Sequence, residues 1–201
     1  PSPDNSFAPP APGIYTLIDN LNDIAINGGT ISSDRTWSYF EGGYAILGSV
    51  SIKASGQNPR LTIDPGTTLR FDVGKNMQIG GDSSEGGELY AEGTLGNEIT
   101  FTALNGEVGG WNGLVFDDGS DSYSSSSSLK YCIVEKGVDY NLYSYLTQEP
   151  FILYSTFQNA ASRGIYLNSS DIAIEETLLN DNDAYGLYLN NASPSLVLVN
   201  M

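Results

Sequence analysis

The sequence predicts an all-β fold, a right-handed parallel β-helix in which short strands stack coil upon coil. An internal repeat is the first observation: residues 165–168 read IYLN, and residues 187–190 read LYLN, 22 positions later. The second observation is a matched pair ahead of these copies, LYSTFQN at residues 153–159 and IEETLLN at residues 174–180. A period in the low twenties, made of short apolar runs and polar turns, is typical of a solenoid.

The rest of the chain carries short strands of the same kind. Apolar and polar residues alternate over three or four positions at a time, which is the period of a strand with one buried face. The segments are residues 45–47, 50–52, 61–63, 69–71, 77–79, 88–91, 99–102, 113–116 and 131–136. Few hairpin turn signals separate them, which disfavours a sandwich of hairpins. No segment combines helical periodicity with a cap, and we expect six or seven coils.

The repeat also predicts which residues lie above one another. With a shift of 22 residues, Ile165 lies under Leu187 and Leu167 lies under Leu189, all pointing into the core. Tyr166 and Tyr188 then stack on the outer face. This register makes the inner positions continuous apolar columns.

The second matched pair, with its shift of 21 residues, predicts a ladder at a turn. It places Asn159 in register with Asn180, where amide side chains can hydrogen-bond from coil to coil. It also places Glu175 opposite Tyr154, so that no pair of acids is stacked on one face. Glycoside hydrolysis needs two neighbouring carboxyl groups, and this register does not supply them.

Two regions precede the regular coils. Residues 1–30 are predicted to form an extended arm, Pro-rich at residues 1–3 and 9–13, that packs on its own domain or on a neighbouring molecule. Residues 31–201 are predicted to form the β-helix, with a cap over about residues 31–50. The aromatic residues Trp37, Tyr39, Phe40 and Tyr44 favour a cap, and a binding platform is the alternative.

Composition excludes several classes of function. The formal net charge is -16 with eight basic residues among 201, which argues against binding to nucleic acid or to anionic membrane surfaces. Membrane insertion is not expected, because no stretch is long and apolar enough to span a bilayer. Histidine is absent, so Ser-His-Asp and Cys-His nucleophiles and His-ligated metals are excluded. Cys132 is the single cysteine, and its apolar neighbours predict a buried, unreactive thiol.

Two acidic turns are candidate calcium sites. The first contains Asp117, Asp118 and Asp121, and the second contains Asp181 and Asp183. Closely spaced carboxylates beside glycine or asparagine are the oxygen ligands that Ca²⁺ prefers. Neither stretch completes a known calcium loop, and a solvated acidic turn is the alternative. No other cofactor is required.

Tyrosines supply the candidate binding residues. Tyr140, Tyr143 and Tyr145 lie in the predicted loop at residues 138–149, and Tyr166 and Tyr188 belong to the repeat. Aromatic rings with a hydroxyl group suit contact with sugars or with proteins. Ordinary outer-face strand composition is the alternative, because tyrosine is a good strand former.

Four segments resemble the coils of exported bacterial right-handed parallel β-helix repeat proteins, within the pectate-lyase-like solenoid superfamily. The segments are residues 61–71 (LTIDPGTTLRF), 91–102 (AEGTLGNEITFT), 111–116 (WNGLVF) and 129–137 (LKYCIVEKG). The resemblance extends over about residues 31–201. Glu98 stands where such proteins often have proline. The motifs specify the fold far better than they specify an activity.

The resemblance implies an extracellular or cell-surface location and a non-catalytic structural or adhesive role. The N-terminal arm and the apolar C-terminal residues add the hypothesis of a self-assembling filament subunit. Expected partners are protein, through self-association or a surface partner, or polysaccharide. The alternative is a carbohydrate-active enzyme, a polysaccharide lyase or hydrolase, or a carbohydrate-binding module on the same fold. No catalytic residue is assigned, although a lyase would find a basic residue in Arg163. The apolar residues 196–199 predict that the polypeptide continues or that another chain covers this end.

Overall fold

A computed structural model describes residues 23–124 and 126–201, and it contains three parallel sheets of seven strands each. Every coil contributes one strand to each sheet in the same order, called here sheets A, B and C. The described residues therefore form seven coils. Each strand pairs with its counterparts in the coils before and after it, so the predicted all-β parallel β-helix is confirmed.

The strands, numbered in chain order, are distributed evenly among the sheets. Sheet A consists of β1 (Ile24–Ile26), β4 (Tyr44–Ile46), β8 (Thr68–Phe71), β12 (Ile99–Ala103), β15 (Cys132–Glu135), β18 (Thr156–Gln158) and β21 (Leu178–Asn180). Sheet B consists of β2 (Gly29–Ile31), β5 (Val50–Ile52), β9 (Met77–Ile79), β13 (Leu114–Phe116), β16 (Tyr140–Tyr145), β19 (Arg163–Asn168) and β22 (Tyr185–Asn190). Sheet C consists of β3 (Arg35–Trp37), β7 (Arg60–Ile63), β11 (Glu88–Glu92), β14 (Ser128–Lys130), β17 (Phe151–Leu153), β20 (Ala173–Glu175) and β23 (Ser195–Val197).

Two small elements stand outside the coils. Strands β6 (Ala54–Ser55) and β10 (Glu85–Gly86) pair antiparallel between sheets B and C. A 3-10 segment over Asp118–Ser124 is interrupted at Ser122 and Tyr123. It contains Asp118 and Asp121 of the first predicted acidic turn. None of the described helical segments is long and apolar enough to span a membrane.

Inward-pointing residues form stacked apolar columns that run the length of the coils. One column in sheet A joins Leu69, Phe101, Val134, Phe157 and Leu179 in register. The first four of these side chains are fully buried, and burying such a side chain contributes about 1.5–3 kcal/mol. Because neighbouring coils share each column, the core is continuous along the axis.

The repeat in sheet B has the predicted register, and the one predicted from the 21-residue shift is wrong. Tyr166 pairs with Tyr188, as expected. The shift between β18 and β21 is 22 residues, however, so Gln158 pairs with Asn180, and the predicted Asn159–Asn180 ladder does not form. Between β17 and β20, Glu175 likewise pairs with Leu153 and not with Tyr154. No acid stands opposite Glu175 in the preceding coil.

Single residues in the left-handed region turn the chain at the corners between the sheets. Successive coils place these residues at equivalent positions. The three stacks are Tyr131, Tyr154, Glu176 and Leu198; Lys136, Asn159 and Asp181; and Leu146, Ser169 and Asn191, with φ between 47° and 67°. Such backbone angles are unfavourable for side chains with a Cβ atom, so these sharp turns are maintained by the packed strands on either side.

Replacing Asn159 by valine is expected to lower the free energy of unfolding by about 1–2 kcal/mol. Asn159 has a φ of 53°, and a β-branched side chain fits this region poorly. Thr156→Val, in strand β18 three residues earlier, is the matched control and should change stability by less than about 0.5 kcal/mol. Urea unfolding followed by circular dichroism compares the two variants. An equal loss in both would contradict the assignment of a strained corner.

Small polar side chains next to these corners form hydrogen bonds with buried backbone amide and carbonyl groups. Ser155 is buried, and its hydroxyl donates to the carbonyl of Leu153 at 3.0 Å while accepting from the amide of Cys132 at 3.1 Å. Thr177 occupies the same position one coil later and donates to the carbonyl of Glu175 at 2.7 Å. Buried corner amides and carbonyls thereby keep hydrogen-bond partners.

The beginning of the described chain already belongs to the solenoid. Strands β1 and β2 form part of the first coil, while residues 1–22 of the predicted arm lie outside the described residues. In the region predicted as a cap, Trp37 and Tyr44 are buried and stack at 5.2 Å, whereas Tyr39 and Phe40 are exposed. The thiol of Cys132 is buried as predicted, and burial raises its pKa.

Candidate functional site

The outer face of sheet B carries a compact array of tyrosines on its last three strands. Nine outward positions of β16, β19 and β22 stand in three columns. The columns are Tyr140, Arg163 and Tyr185; Tyr143, Tyr166 and Tyr188; and Tyr145, Asn168 and Asn190. We call these nine residues the tyrosine face. None of the three strands contains an acidic residue.

The rings of the tyrosine face lean against one another. Within β16, Tyr140 and Tyr143 stack with centroids 5.2 Å apart and an interplanar angle of 29°. Along the middle column, Tyr143 and Tyr166 are 4.9 Å apart at 49°, and Tyr166 and Tyr188 are 5.1 Å apart at 77°. Each such pair contributes about 0.5–1.5 kcal/mol beyond burial. The predicted stack of Tyr166 on Tyr188 is thus an edge-to-face contact, and the rings are fixed before any ligand arrives.

Arg163 is the middle residue of the first column, between Tyr140 and Tyr185. Its guanidinium carbon lies 5.1 Å from the ring centroid of Tyr166 and 4.7 Å from that of Tyr188, which is cation–π geometry. Its Nε atom is buried without a hydrogen-bond partner. Among the described residues, no carboxylate forms an ion pair with Arg163. The face therefore holds one positive charge that forms no ion pair within the described part of the chain.

Hydroxyl and amide groups form a polar row beside the rings. Asn168 donates from Nδ2 to the hydroxyl of Tyr143 at 3.0 Å, and Asn190 donates from Nδ2 to Oδ1 of Asn168 at 3.2 Å. Burial, and next the charge of Asp139, raises the pKa of Tyr140 to about 12. Burial also raises the pKa of Tyr143, against the opposing effect of Asn168. Both hydroxyls stay protonated at neutral pH and keep a proton to donate.

The five tyrosines singled out in the sequence as binding residues all belong to the tyrosine face. The structure thereby brings Tyr140, Tyr143 and Tyr145 together with Tyr166 and Tyr188, and it places the first three in a strand and not in a loop. Sequence reasoning missed Tyr185 and the asparagine row as members of this array. The signal was available for the asparagines, because Asn168 and Asn190 recur with the 22-residue period, whereas the counterpart of Tyr185 in the preceding coil is Arg163.

The candidate calcium residues lie at two separate corners. Asp117 accepts hydrogen bonds from Gln78 and from the amide of Asp118, and Asp121 accepts one from the amide of Gln148. Asp181 accepts from Asn180 Nδ2, and the amide of Asp183 donates to Ala160. Within residues 23–124 and 126–201, no three Asp, Glu or Cys side chains gather in a way that could hold a metal ion. Calcium binding stays a prediction.

A second cluster, which the sequence did not predict, joins acids from three coils. The amide of Ser126 donates to Glu88 at 3.1 Å, and the amide of Gln148 donates to Asp121 at 2.9 Å. Glu149 follows Gln148. Burial raises the pKa of Glu149 to about 8, and the negative charges of Asp121 and Glu88 add to the effect. Arg60 and Asn58 also contact Glu88. The cluster thus contains one carboxyl group that stays protonated at neutral pH.

Comparisons of the whole chain with known protein families, with curated proteins and with solved structures found no match.

Proposed function

We propose that this chain is a non-catalytic structural or adhesive protein that is exported to the cell surface or the extracellular space. The rigid solenoid spaces and displays the tyrosine face, and this face makes the contact with a polysaccharide or a protein. The preorganised rings of the face are the observation that carries the proposal, because ligand binding then immobilises few side chains. The resemblance to exported bacterial β-helix repeat proteins supports the location.

An array of immobilised polysaccharides and extracellular proteins, probed with the fluorescent full-length chain, tests this function. Tyr143→Thr with Tyr166→Thr is expected to weaken binding about tenfold or more, because both rings stand in the middle column. Tyr131→Asn with Tyr154→Asn is the matched control, since those rings stack at 5.0 Å on a different corner. Absence of any bound spot, or equal loss in both variants, would overturn the proposal.

Self-association is measured separately by light scattering over a range of concentrations, with and without Ca²⁺. Concentration-dependent polymers would assign the chain to the self-assembling form of this structural role. Polymers that need Ca²⁺ would further support the two acidic turns as calcium sites. A monomer under both conditions would exclude the filament form and leave display of the tyrosine face as the proposed role.

A carbohydrate-active enzyme is the second candidate, and the cluster around Glu149 is the observation that favours it. A carboxyl group whose pKa is raised by burial and by nearby acids is the feature of the general acid in glycoside hydrolysis. Release of new reducing ends from an array polysaccharide, abolished by Glu149→Gln, would replace the first proposal by this one. Unsaturated uronate products, detected by ultraviolet absorbance, would instead indicate a lyase.

A further inference from the structure

We propose that the Pro-rich segment of residues 1–13 of this chain docks on the tyrosine face. This inference shares a surface with the proposed function but does not depend on it, because it requires no external partner. Three independent features of the chain carry it: the chemistry of the face, the composition of the segment, and the distance between them.

The chemistry of the tyrosine face suits a polyproline-type ligand. Proteins recognise such segments with grooves lined by aromatic side chains, which pack against the rigid proline rings and hydrogen-bond to free backbone carbonyls. Tyr143 and Tyr166 stand 4.9 Å apart with their rings fixed by neighbours, and the hydroxyl of Tyr143 stays protonated at neutral pH. Because a polyproline helix forms no internal backbone hydrogen bonds, its carbonyls are free to accept from these hydroxyls.

The composition of the segment complements the face. Residues 1–13 read PSPDNSFAPPAPG, with five prolines, and residues 9–12 form a Pro-x-x-Pro pattern. Residues 1–22 contain Asp4 and Asp19 and no Lys or Arg. Strands β16, β19 and β22 contain no acid and one cation, Arg163, which has no carboxylate partner among the described residues. In a chain of net charge -16, these strands offer an acidic segment a cation and no carboxylate of their own, and the nearby charges are those of Asp139 beside Tyr140 and Asp117 beside Tyr143.

The distance between the two can be spanned. Asp23 is buried, and Arg70 donates to its carboxylate at 3.1 and 3.2 Å, so the first described residue is held at a fixed point in the first coil. The tyrosine face begins four coils later, about 19 Å along the axis at the usual strand spacing. Residues 13–22 span about 30 Å if extended as polyproline. The axial separation is therefore within the reach of the segment of the same chain.

Photo-cross-linking in the full-length chain tests the docking. Phe7→p-benzoylphenylalanine places a cross-linker inside the segment, and trypsin then releases residues 1–35, 137–163 and 164–201 as separate peptides. We expect cross-links from residues 1–35 to residues 137–163 or 164–201. A mixture of ¹⁵N-labelled and unlabelled protein shows whether the joined peptides come from one molecule or two, and either result supports docking of this segment.

Matched variants make the test decisive. Tyr143→Thr with Tyr166→Thr should lower the cross-link yield about tenfold, equivalent to 1.4 kcal/mol, while Tyr131→Asn with Tyr154→Asn should leave it unchanged. Replacement of Pro9, Pro10 and Pro12 by serine, which changes none of the residues of the described coils, should lower the yield similarly, and Ala8→Ser with Ala11→Ser should not. Cross-links confined to other peptides, or an unchanged cross-link yield in the proline variant, would overturn the inference. Neither result would bear on array binding.

Discussion

Replacement of Trp111 by alanine is expected to lower the free energy of unfolding by about 3–5 kcal/mol. Trp111 is fully buried, and its ring stacks on Phe71 with centroids 4.3 Å apart. Its indole nitrogen donates to the carbonyl of Glu135 at 2.7 Å, so the truncation leaves both a cavity and an unpaired carbonyl. Because a domain of this kind is stable by about 5–15 kcal/mol, the change is a large fraction of the total.

Urea unfolding followed by far-ultraviolet circular dichroism measures this effect. Leu95→Ala is the control, because Leu95 is 82% exposed and its truncation should change stability by less than about 0.5 kcal/mol. Trp111→Phe separates the two contributions, since it retains a ring for stacking and loses the donor, and we expect a loss of about 1–2 kcal/mol. Equal unfolding midpoints for Trp111→Ala and Leu95→Ala would show that the buried Trp111 side chain does not stabilise the packing of the coils.

Stability is expected to fall between pH 4.5 and pH 8 because of Glu149. Its folded-state pKa is raised to about 8 by burial and by the charges of Asp121 and Glu88, whereas the ordinary value is 4.5. In this interval the unfolded chain ionises at Glu149 and the folded chain does not. The contribution of the neutral carboxyl group is thus complete below pH 4.5 and is lost as the pH rises through 8.

Glu149→Gln should remove this pH dependence. Near pH 8.5 the variant should exceed the parent in unfolding free energy by about 1–3 kcal/mol, a range that allows for solvent screening of the partly exposed group. Below pH 4.5 the two should agree. Glu107→Gln, at an exposed turn, should follow the parent throughout. A parent-minus-variant difference that is constant with pH would contradict the raised pKa.

The sequence allowed the fold and one sheet register to be predicted, because the two copies at residues 165–168 and 187–190 are nearly identical. The register predicted from the 21-residue shift, between β18 and β21, was wrong for a physical reason. The 21-residue shift aligned Thr156 with Thr177 because both are threonine. In the structure, Thr177 instead takes the buried position that Ser155 has in the preceding coil. In a strand, a slip of one residue exchanges the inner and outer faces. Leu178 is accordingly exposed, while Leu179 pairs with Phe157 in the core.

The candidate sites differ in how far the sequence could predict them. The tyrosine face was accessible in part, because Tyr166 and Tyr188 occupy the same position of the 22-residue repeat, whereas Tyr143 lies 23 residues before Tyr166, outside that repeat. The acid cluster was not, because Glu88, Asp121 and Glu149 belong to three coils of unequal length, interrupted by the insertion that holds the 3-10 segment. Without a constant period, linear spacing does not show which side chains meet. Burial, the main cause of the raised pKa of Glu149, is a property of the folded corner alone.

The one-dimensional pairing of the strands has a mechanical consequence. Each strand of sheets A, B and C bonds only to the coils directly before and after it, and these hydrogen bonds point along the long axis. A bending or compressing load is shared by three sheets at once. A pull on the end of the polypeptide instead loads the bonds of one coil at a time, so the protein should peel in steps of a single coil under tension. The protein should therefore be stiff under bending or compression and unfold coil by coil under tension on its end.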